Sequence, residues 1–542
     1  MPAVTSLLSA VLYVLAFPPY AVSPLAFVAL VPWLVLLLSG QSKRPKLQSW
    51  WLCIGVSLLG FHWVAYVLKQ FAGLPWPLAA LGLLGFSTFG QLQFVGFALA
   101  APWLVKGLTK SAGRFSLRSC GWLLLGATSY TALDYLLPKL FRDTLGHSWT
   151  GFSDLKMNAR WAGAYGLTLI SVYCNLAIAW AIVLIRNRGE PSTLSAIKRG
   201  LPGIVTAIGL LGLVQVLGGT LRQKIEKTIS QPTAQIPLGV IQANIGDLEK
   251  LASETGVRSA RKQVMQTYYS LSDEVLQKNP EIQAVIWPET AYPSTFRSPE
   301  FSDDLELDQQ VENYSKSRKV ALFFGGYDRD IQLRQDYNAL FFLGPGAQSF
   351  QTYRKNRLLL FGEEMPFSGV FPQLRKWFPQ VGNFGRGSGP SALEVPTTPP
   401  TRTAPAICYE VLFSEDMILA KKAGAQWILN ITNDSWFGPR AEPELHLALS
   451  TFRSIELGIP MVRSTNTGIT AWVDPTGKVH QASKTFEKTV VSILLPIVPL
   501  EPSWVERFND PMGKLCVAAT LLIWLWGRFQ NWRQQKEQLS KL

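Results

Sequence analysis

Apolar positions along the chain follow two regimes. Over the first 220 residues, and again near the end, they form almost unbroken runs at 3–19, 24–39, 48–66, 77–104, 119–137, 161–186, 202–219 and 514–527. Most approach the roughly 20 residues a helix needs to cross about 30 Å of hydrocarbon, so eight spans are expected. The first run has no basic flank and is followed at once by another apolar run, unlike a cleaved signal peptide. Between about 221 and 505 the runs shorten. Stretches such as "IPLGVIQANI" (236–245), "IQAVIWPE" (282–289), "KVALFFGGY" (319–327), "YNALFFLG" (337–344), "QSFQTYRK" (348–355), "TAPAICYE" (403–410) and "GAQWILNITND" (424–434) read as strands. Val264, Tyr268, Leu271 and Val275 recur at helical spacing before Asn279-Pro280, and Leu445, Leu449, Phe452 and Ile455 do so before Gly458. The expectation is a multi-span α-helical membrane bundle (1–220), an α/β domain (221–505), and a last span with a tail (506–542).

Charge adds an orientation. The 542 residues include 51 basic and 37 acidic side chains, a net +14, and 48% are hydrophobic. The basic groups concentrate in "QSKRPK" (41–46), Lys106 to Arg118, "RNRGEPSTLSAIKRG" (186–200) and the tail beyond Arg528. With eight spans these fall on one side, which is then cytoplasmic, and the block from 221 to 505 lies on the extracytoplasmic side. The loops account for most of the positive charge. No interleaving of basic and aromatic residues suggests nucleic acid as a partner.

Cysteine usage then singles out one residue. Cys53, Cys120, Cys174 and Cys516 fall in or beside predicted spans, leaving Cys408 alone in the polar block. A lone cysteine is more often a small buried apolar side chain than a nucleophile. Its setting favours the second reading. Glu289, Lys355 and Cys408 each close a predicted strand, where a sheet presents groups rigidly to a cleft. A thiol attacks as thiolate, and so needs a base or a positive field. Glu289, beside Trp287 and Tyr292, can take the proton, while Lys355 can stabilise both thiolate and oxyanion, the latter with the backbone N–H after Cys408. Histidine is not the partner: His62 and His147 fall in the membrane half, His480 in a turn, and His446 inside an amphipathic helix.

"WPE" with Glu289, "YRKNRLLLFGEEMPF" with Lys355 and "ICYE" with Cys408 together resemble the nitrilase, or carbon–nitrogen hydrolase, superfamily. That resemblance implies a Glu-Lys-Cys triad on an α-β-β-α sandwich. "NDSWFG" (433–438) and the segment "AEPELHLALSTFRSIELGIPMVRSTNTGITAWVDPTGKV" after it are similar to the membrane-fused branch, the apolipoprotein N-acyltransferases. The branch implies that Cys408 takes an acyl chain from a phospholipid donor as a thioester. The α-amino group of a diacylglyceryl-modified lipoprotein then takes it from Cys408, at the bilayer of a bacterial inner membrane. It also implies that Glu363 orients Lys355 and Glu410 shapes the cleft; the "FGE" spacing favours Glu363 over Glu364. Asn338, Tyr409 and Trp436 match positions near the cleft and are equally good packing residues. Where relatives often carry a tryptophan after the "Q-x-N-I" strand, this chain has Lys250 at about that position.

The segment 365–385 sets Phe367, Val370, Phe371, Leu374, Trp377 and Phe378 beside Arg375 and Lys376. It reads either as a covered core loop or as an arm that dips into the lipid interface on glycine joints. Two rival functions share these residues: a membrane-anchored amidase or nitrilase with water as the second nucleophile, and a non-catalytic scaffold or transporter. The latter expects ionisable groups inside the spans, where few besides Asp134 and Lys69 occur. No metal-ligand spacing or phosphate-binding loop calls for a metal or cofactor, and acyl transfer needs none.

Overall fold

The computed structural model describes residues 2–40, 42–70, 73–111, 117–186, 193–297, 302–365, 367–378, 381–439 and 441–539. Parts of the basic loops (41, 112–116 and 187–192), the last tail residues (540–542) and, in the aromatic arm, 366 and 379–380 lie outside them. The chain forms two compact units, one of residues 1–62, 81–222 and 510–542, the other of 63–80 and 223–509.

The first unit is helical. Among the described residues three helices are long and apolar enough to cross a membrane: Leu155–Arg186, Ile197–Ile229 and Pro511–Gln530. A fourth results if Pro45–Gly60 and Trp63–Gln70 count as one broken span. Among the described residues, several of the eight predicted runs are thus shorter or broken helices rather than single long ones. The run at 3–19 is helical only to Leu15, ahead of Pro18-Pro19, since proline lacks the N–H an interior turn needs. The run at 77–104 divides into Trp76–Ser87 and Gln93–Ser111, with a turn over 88–92 between them. Cys53, Cys120, Cys174 and Cys516 all lie on helices, and all five cysteines are free.

The second unit holds two six-stranded sheets. One has the order β12-β1-β2-β3-β4-β5, with β1 at Ala234–Gln242, β2 at Ala284–Ile286, β3 at Ala321–Asp330, β4 at Gln335–Leu343, β5 at Phe350–Arg354 and β12 at Thr489–Ile497. The other runs β11-β10-β9-β8-β7-β6, with β6 at Leu393–Val395, β7 at Thr401–Ile407, β8 at Trp427–Thr432, β9 at Met461–Thr465, β10 at Ala471–Val473 and β11 at Val479–His480. The strands β1, β2 and β3 are parallel, as are β7, β8 and β9. β1, β2 and the first half of β3 read as continuous apolar runs because both faces are covered. On the outer side of the first sheet the helix Arg258–Lys278 lays Val264, Tyr268, Leu271 and Val275 against Val285, Trp287 and Phe324. Between the sheets Phe323 meets Phe342 at 4.6 Å and Trp427 of the second sheet at 6.2 Å. Burying such rings contributes roughly 1.5–3 kcal/mol each. With Ser414–Lys422 and the helix Glu442–Leu457, buried at every residue but Glu444, beyond the second sheet, the layers are α-β-β-α.

All seven predicted strands form, with shifted ends, as β1–β5, β7 and β8; β6 and β9–β12 add to them. β2 is the largest departure: it stops at Ile286, so 287–289 leave the sheet. The aromatic arm is no covered core loop, for Phe367 is 75% exposed and Trp377 70%, with Val370, Phe371 and Phe378 also exposed.

Candidate active site

The short β2 is what aims Glu289. Pro288 cannot donate to a ladder, and the chain turns over the adjoining strand: Gly325 N–H donates to Pro288 O at 3.1 Å. A Cβ on Gly325 would sit 2.5 Å from Thr290 N and 2.6 Å from Glu289 Cα, so only glycine admits this approach. The carboxylate that emerges is held at both oxygens. Oε1 accepts from Asn338 Nδ2 at 2.8 Å and from Lys355 Nζ at 3.3 Å, and Oε2 accepts from Asn433 N–H at 2.9 Å.

Lys355 is the first residue beyond β5, and its N–H donates to Asn338 O at 2.8 Å. Its Nζ also donates to Glu363 Oε1 at 2.9 Å. Glu363 takes a second bond from Asn338 Nδ2 at 2.7 Å and a third from Leu359 N–H at 2.9 Å. Asn338 and Lys355 thus bridge two carboxylates. Burial works against the ammonium, but Glu289, Glu363 and Cys408 outweigh it and hold Lys355 well above the usual lysine range. Glu364 points elsewhere, to Arg386.

Cys408 comes from the other sheet, one residue past β7, at φ +55°. A left-handed non-glycine residue is strained and persists where its surroundings over-determine it. Here Asn430 Nδ2 donates to Cys408 O at 2.9 Å and to Ala406 O at 3.1 Å. Asn430 is fixed in turn by Arg463 Nη1 at 2.6 Å, and Arg463 Nη2 reaches Asp434 at 2.9 Å. Burial pushes the Cys408 thiol up and Glu289 pushes it further, while Lys355 pulls it down, so at rest it carries its proton.

Glu410 joins the two strand ends. Its Oε2 accepts from Ile407 N–H at 2.8 Å, and its Oε1 accepts from Asn356 N–H at 2.6 Å and Arg357 N–H at 2.9 Å, with Tyr353 Oη beside both. Burial pushes this carboxyl up to about 7 against those donors. Tyr409 Oη donates to Leu358 O at 2.5 Å, and its ring centre lies 5.9 Å from Lys355 Nζ. Trp436 is half-buried in the turn Ser435–Phe437, whose Phe437 packs edge-on against Trp63 at 5.3 Å.

The fold therefore gathers Glu289, Lys355, Asn338 and Glu363 into one hydrogen-bonded cluster, with Cys408 in the field of Glu289 and Lys355. His446 stands apart from it, fully buried against Arg463. Asp434, Glu442 and His446 offer ligand atoms within 4.8 Å of one another, but the Arg463 guanidinium already lies against two of them and supplies the counter-charge a cation would bring. The sequence reading missed Gly325, Asn430, Asn433 and Arg463. The asparagines of "ILNITND" were the available signal, since an asparagine inside a buried strand calls for a partner.

A cysteine, a lysine and a carboxylate at sheet ends of an α-β-β-α sandwich define a carbon–nitrogen hydrolase domain, here in one chain with an apolar helical unit. Residues 238–498 match the carbon-nitrogen hydrolase family, and residues 9–177 match the apolipoprotein N-acyltransferase N-terminal domain. An apolipoprotein N-acyltransferase from Bdellovibrio bacteriovorus is 32% identical over 87% of this chain and 83% of its own length. One from Rhodopseudomonas palustris is 28% identical over 96% of this chain and 94% of its own. An amidase from Nesterenkonia sp. superposes with a TM-score of 0.36 at 15% identity, covering 49% of this chain and 92% of the amidase. The chain belongs to the apolipoprotein N-acyltransferase family, a family of acyl-transferring enzymes.

Proposed function

We propose that this protein moves a fatty acyl chain from a membrane phospholipid to the α-amino group of the N-terminal diacylglyceryl-cysteine of apolipoproteins, by way of a thioester on Cys408. The observation that carries the reading is the placement of a protonated thiol, on a strained elbow, in the field of a buried Glu289–Lys355 pair. Glu289 takes the thiol proton as Sγ attacks the ester carbonyl carbon. Lys355 and the Tyr409 N–H stabilise the oxyanion. The acyl C–O bond breaks, and Glu289 returns the proton to the departing lysophospholipid oxygen. The acceptor nitrogen then attacks the thioester and gives its proton to Glu289; the C–S bond breaks, and the thiolate is reprotonated. Glu363 orients Lys355, and Asn338 holds both carboxylates in register.

The reading places the helices of 1–220 and the last helix of 506–542 in a bacterial inner membrane, with the basic tail on the cytoplasmic side and the domain at 221–505 on the extracytoplasmic side, where donor and acceptor keep their lipid tails in the bilayer. Mass spectrometry of the purified protein tests the chemistry. A fatty-acyl adduct on Cys408 is expected, lost on adding an N-terminal diacylglyceryl lipopeptide; an adduct that persists, or its absence, would sink the reading. The exposed aromatics of the arm at 365–385 meet the lipid interface and admit the donor. The triple variant F367S/F371S/W377S is accordingly expected to acylate Cys408 about tenfold more slowly from bilayer phospholipid, and at the normal rate from a water-soluble short-chain ester. Equal loss with both donors would refute the role of the arm.

A further inference from the structure

A second buried lysine stands behind the base. Lys250, on the helix Asp247–Glu254 that follows β1, is 7% exposed, and its Nζ donates to the hydroxyl of Thr290, the residue after Glu289. Thr290 sits at φ +49°, so the turn carrying Glu289 holds a strained residue pinned by this one side chain. One helical turn beyond Lys250, Glu254 Oε1 accepts from Tyr327 Oη at 3.2 Å. Tyr327 stacks on Phe384 at 5.6 Å and 10°, and Phe384 N–H returns to Glu363 O at 3.2 Å. A lysine–carboxylate–tyrosine set thus links the turn of the base to the foot of the aromatic arm.

The charges around Glu289 make this lysine consequential. Lys355 and Glu363 face it from the end of β5 and the turn that follows, Lys250 and Glu254 from the helix, and Cys408 from the end of β7. Four carboxylates, Asp247 beside Lys250 included, share two ammonium groups; without Lys250 they would share one. We propose that Lys250 is a positioning residue for the acyl transfer, fixing through Thr290 the turn that aims Glu289 and setting a second positive charge behind that carboxylate as it receives the thiol proton. The proposal rests on Glu289 acting as the base. It agrees with the balance at Lys250 itself, which burial pulls below the usual lysine range while Glu254, Glu289 and Asp247 pull it back.

Single-turnover acylation of Cys408 by a phospholipid, measured across pH on the full chain in nanodiscs, tests it. Loss of a nearby positive charge raises a carboxyl pKa, so for Lys250→Met the acidic limb of the profile is expected to move up by about one pH unit. The rate then falls about tenfold further on that limb, and at high pH it rises only to the level of Thr290→Val, because the tether is lost as well. Lys250→Arg keeps the charge and is expected to restore the limb. Thr290→Val keeps the charge and loses the tether, lowering the rate at every pH with the limb unmoved; it tests the aiming role should Lys250→Met fail to accumulate. A Lys250→Met profile that is unchanged, or lowered equally at all pH values, overturns the proposal, as does a Thr290→Val rate equal to wild type. A wild-type protein that forms no adduct on Cys408 refutes the proposed function itself, whereas a wild-type adduct with an unmoved Lys250→Met profile refutes only the role of Lys250.

Discussion

Cys408→Ala is expected to abolish the acyl-enzyme and to lower transfer by about 10⁴-fold or more, as loss of a nucleophile does in other covalent mechanisms. Little else should change. The bonds that impose φ +55° on this residue run through its carbonyl, to Asn430, rather than through its sulfur, and alanine leaves them in place. The melting midpoint is therefore expected to stay within about 5 °C of wild type. Cys408→Ser separates nucleophilicity from shape: it keeps the volume and a proton for Glu289, yet a hydroxyl is a far weaker nucleophile than a thiol, so it too is expected to be inactive. The wild-type thiol is protonated at rest, and its alkylation by iodoacetamide, followed on the Cys408 peptide, should keep rising through roughly pH 9 without a plateau. Wild-type transfer by the alanine variant would remove Cys408 from the mechanism. A plateau near neutral pH would show a standing thiolate, and Glu289 would no longer be needed to take the proton.

Glu410→Ala is expected to cost the most stability of any change at the site. The side chain accepts the N–H groups of Ile407, Asn356 and Arg357 and lies beside Tyr353 Oη, in a place water does not reach. Each buried donor left without an acceptor costs about 1–3 kcal/mol. Three of them amount to a large part of the roughly 5–15 kcal/mol that holds an ordinary domain together. The alanine variant should therefore melt far earlier and accumulate poorly. Glu410→Gln keeps one acceptor but turns an N–H₂ towards a backbone N–H. It should fold, melt at an intermediate temperature, and form the Cys408 adduct slowly, because the elbow of Cys408 and the loop of Lys355 are no longer tied to each other. Thermal melts of the three proteins in one detergent decide the matter; an alanine variant as stable as wild type would mean that these contacts are replaceable.

The parts of this molecule that could be read along the chain are those encoded by short-range pattern. The β-branched runs of "IPLGVIQANI" and "KVALFFGGY" appear as β1 and β3, since buried parallel strands must be apolar on both faces. The motifs around Glu289, Lys355 and Cys408 each announced a strand end carrying a costly side chain. Other elements were hidden. β9 carries Arg463, Ser464 and Thr465, and no pattern of apolar residues marks it, because its polar side chains are bonded to Asn430, Asp434, Gln242 and the carbonyl of Ile241 rather than to solvent. The helical half misled for a related reason. Apolar length alone does not reveal where a helix breaks, so the runs at 48–66 and 77–104 each read as one span although each is interrupted.

The amino-acid order by itself determined the two regimes of the chain, most of the strands of the second unit, and which cysteine, lysine and glutamate have the chemistry for acyl transfer, because hydrophobic period and residue type are local properties. Tertiary structure alone decided that Asn338 and Lys355 bridge Glu289 and Glu363, that Glu410 laces the loop after β5 to the elbow after β7, and that Lys250 stands behind the base. Those partners lie tens of residues apart along the chain. Their hydrogen bonds and charges act over a few ångströms, so only the packing of the two sheets and their helices brings them within range.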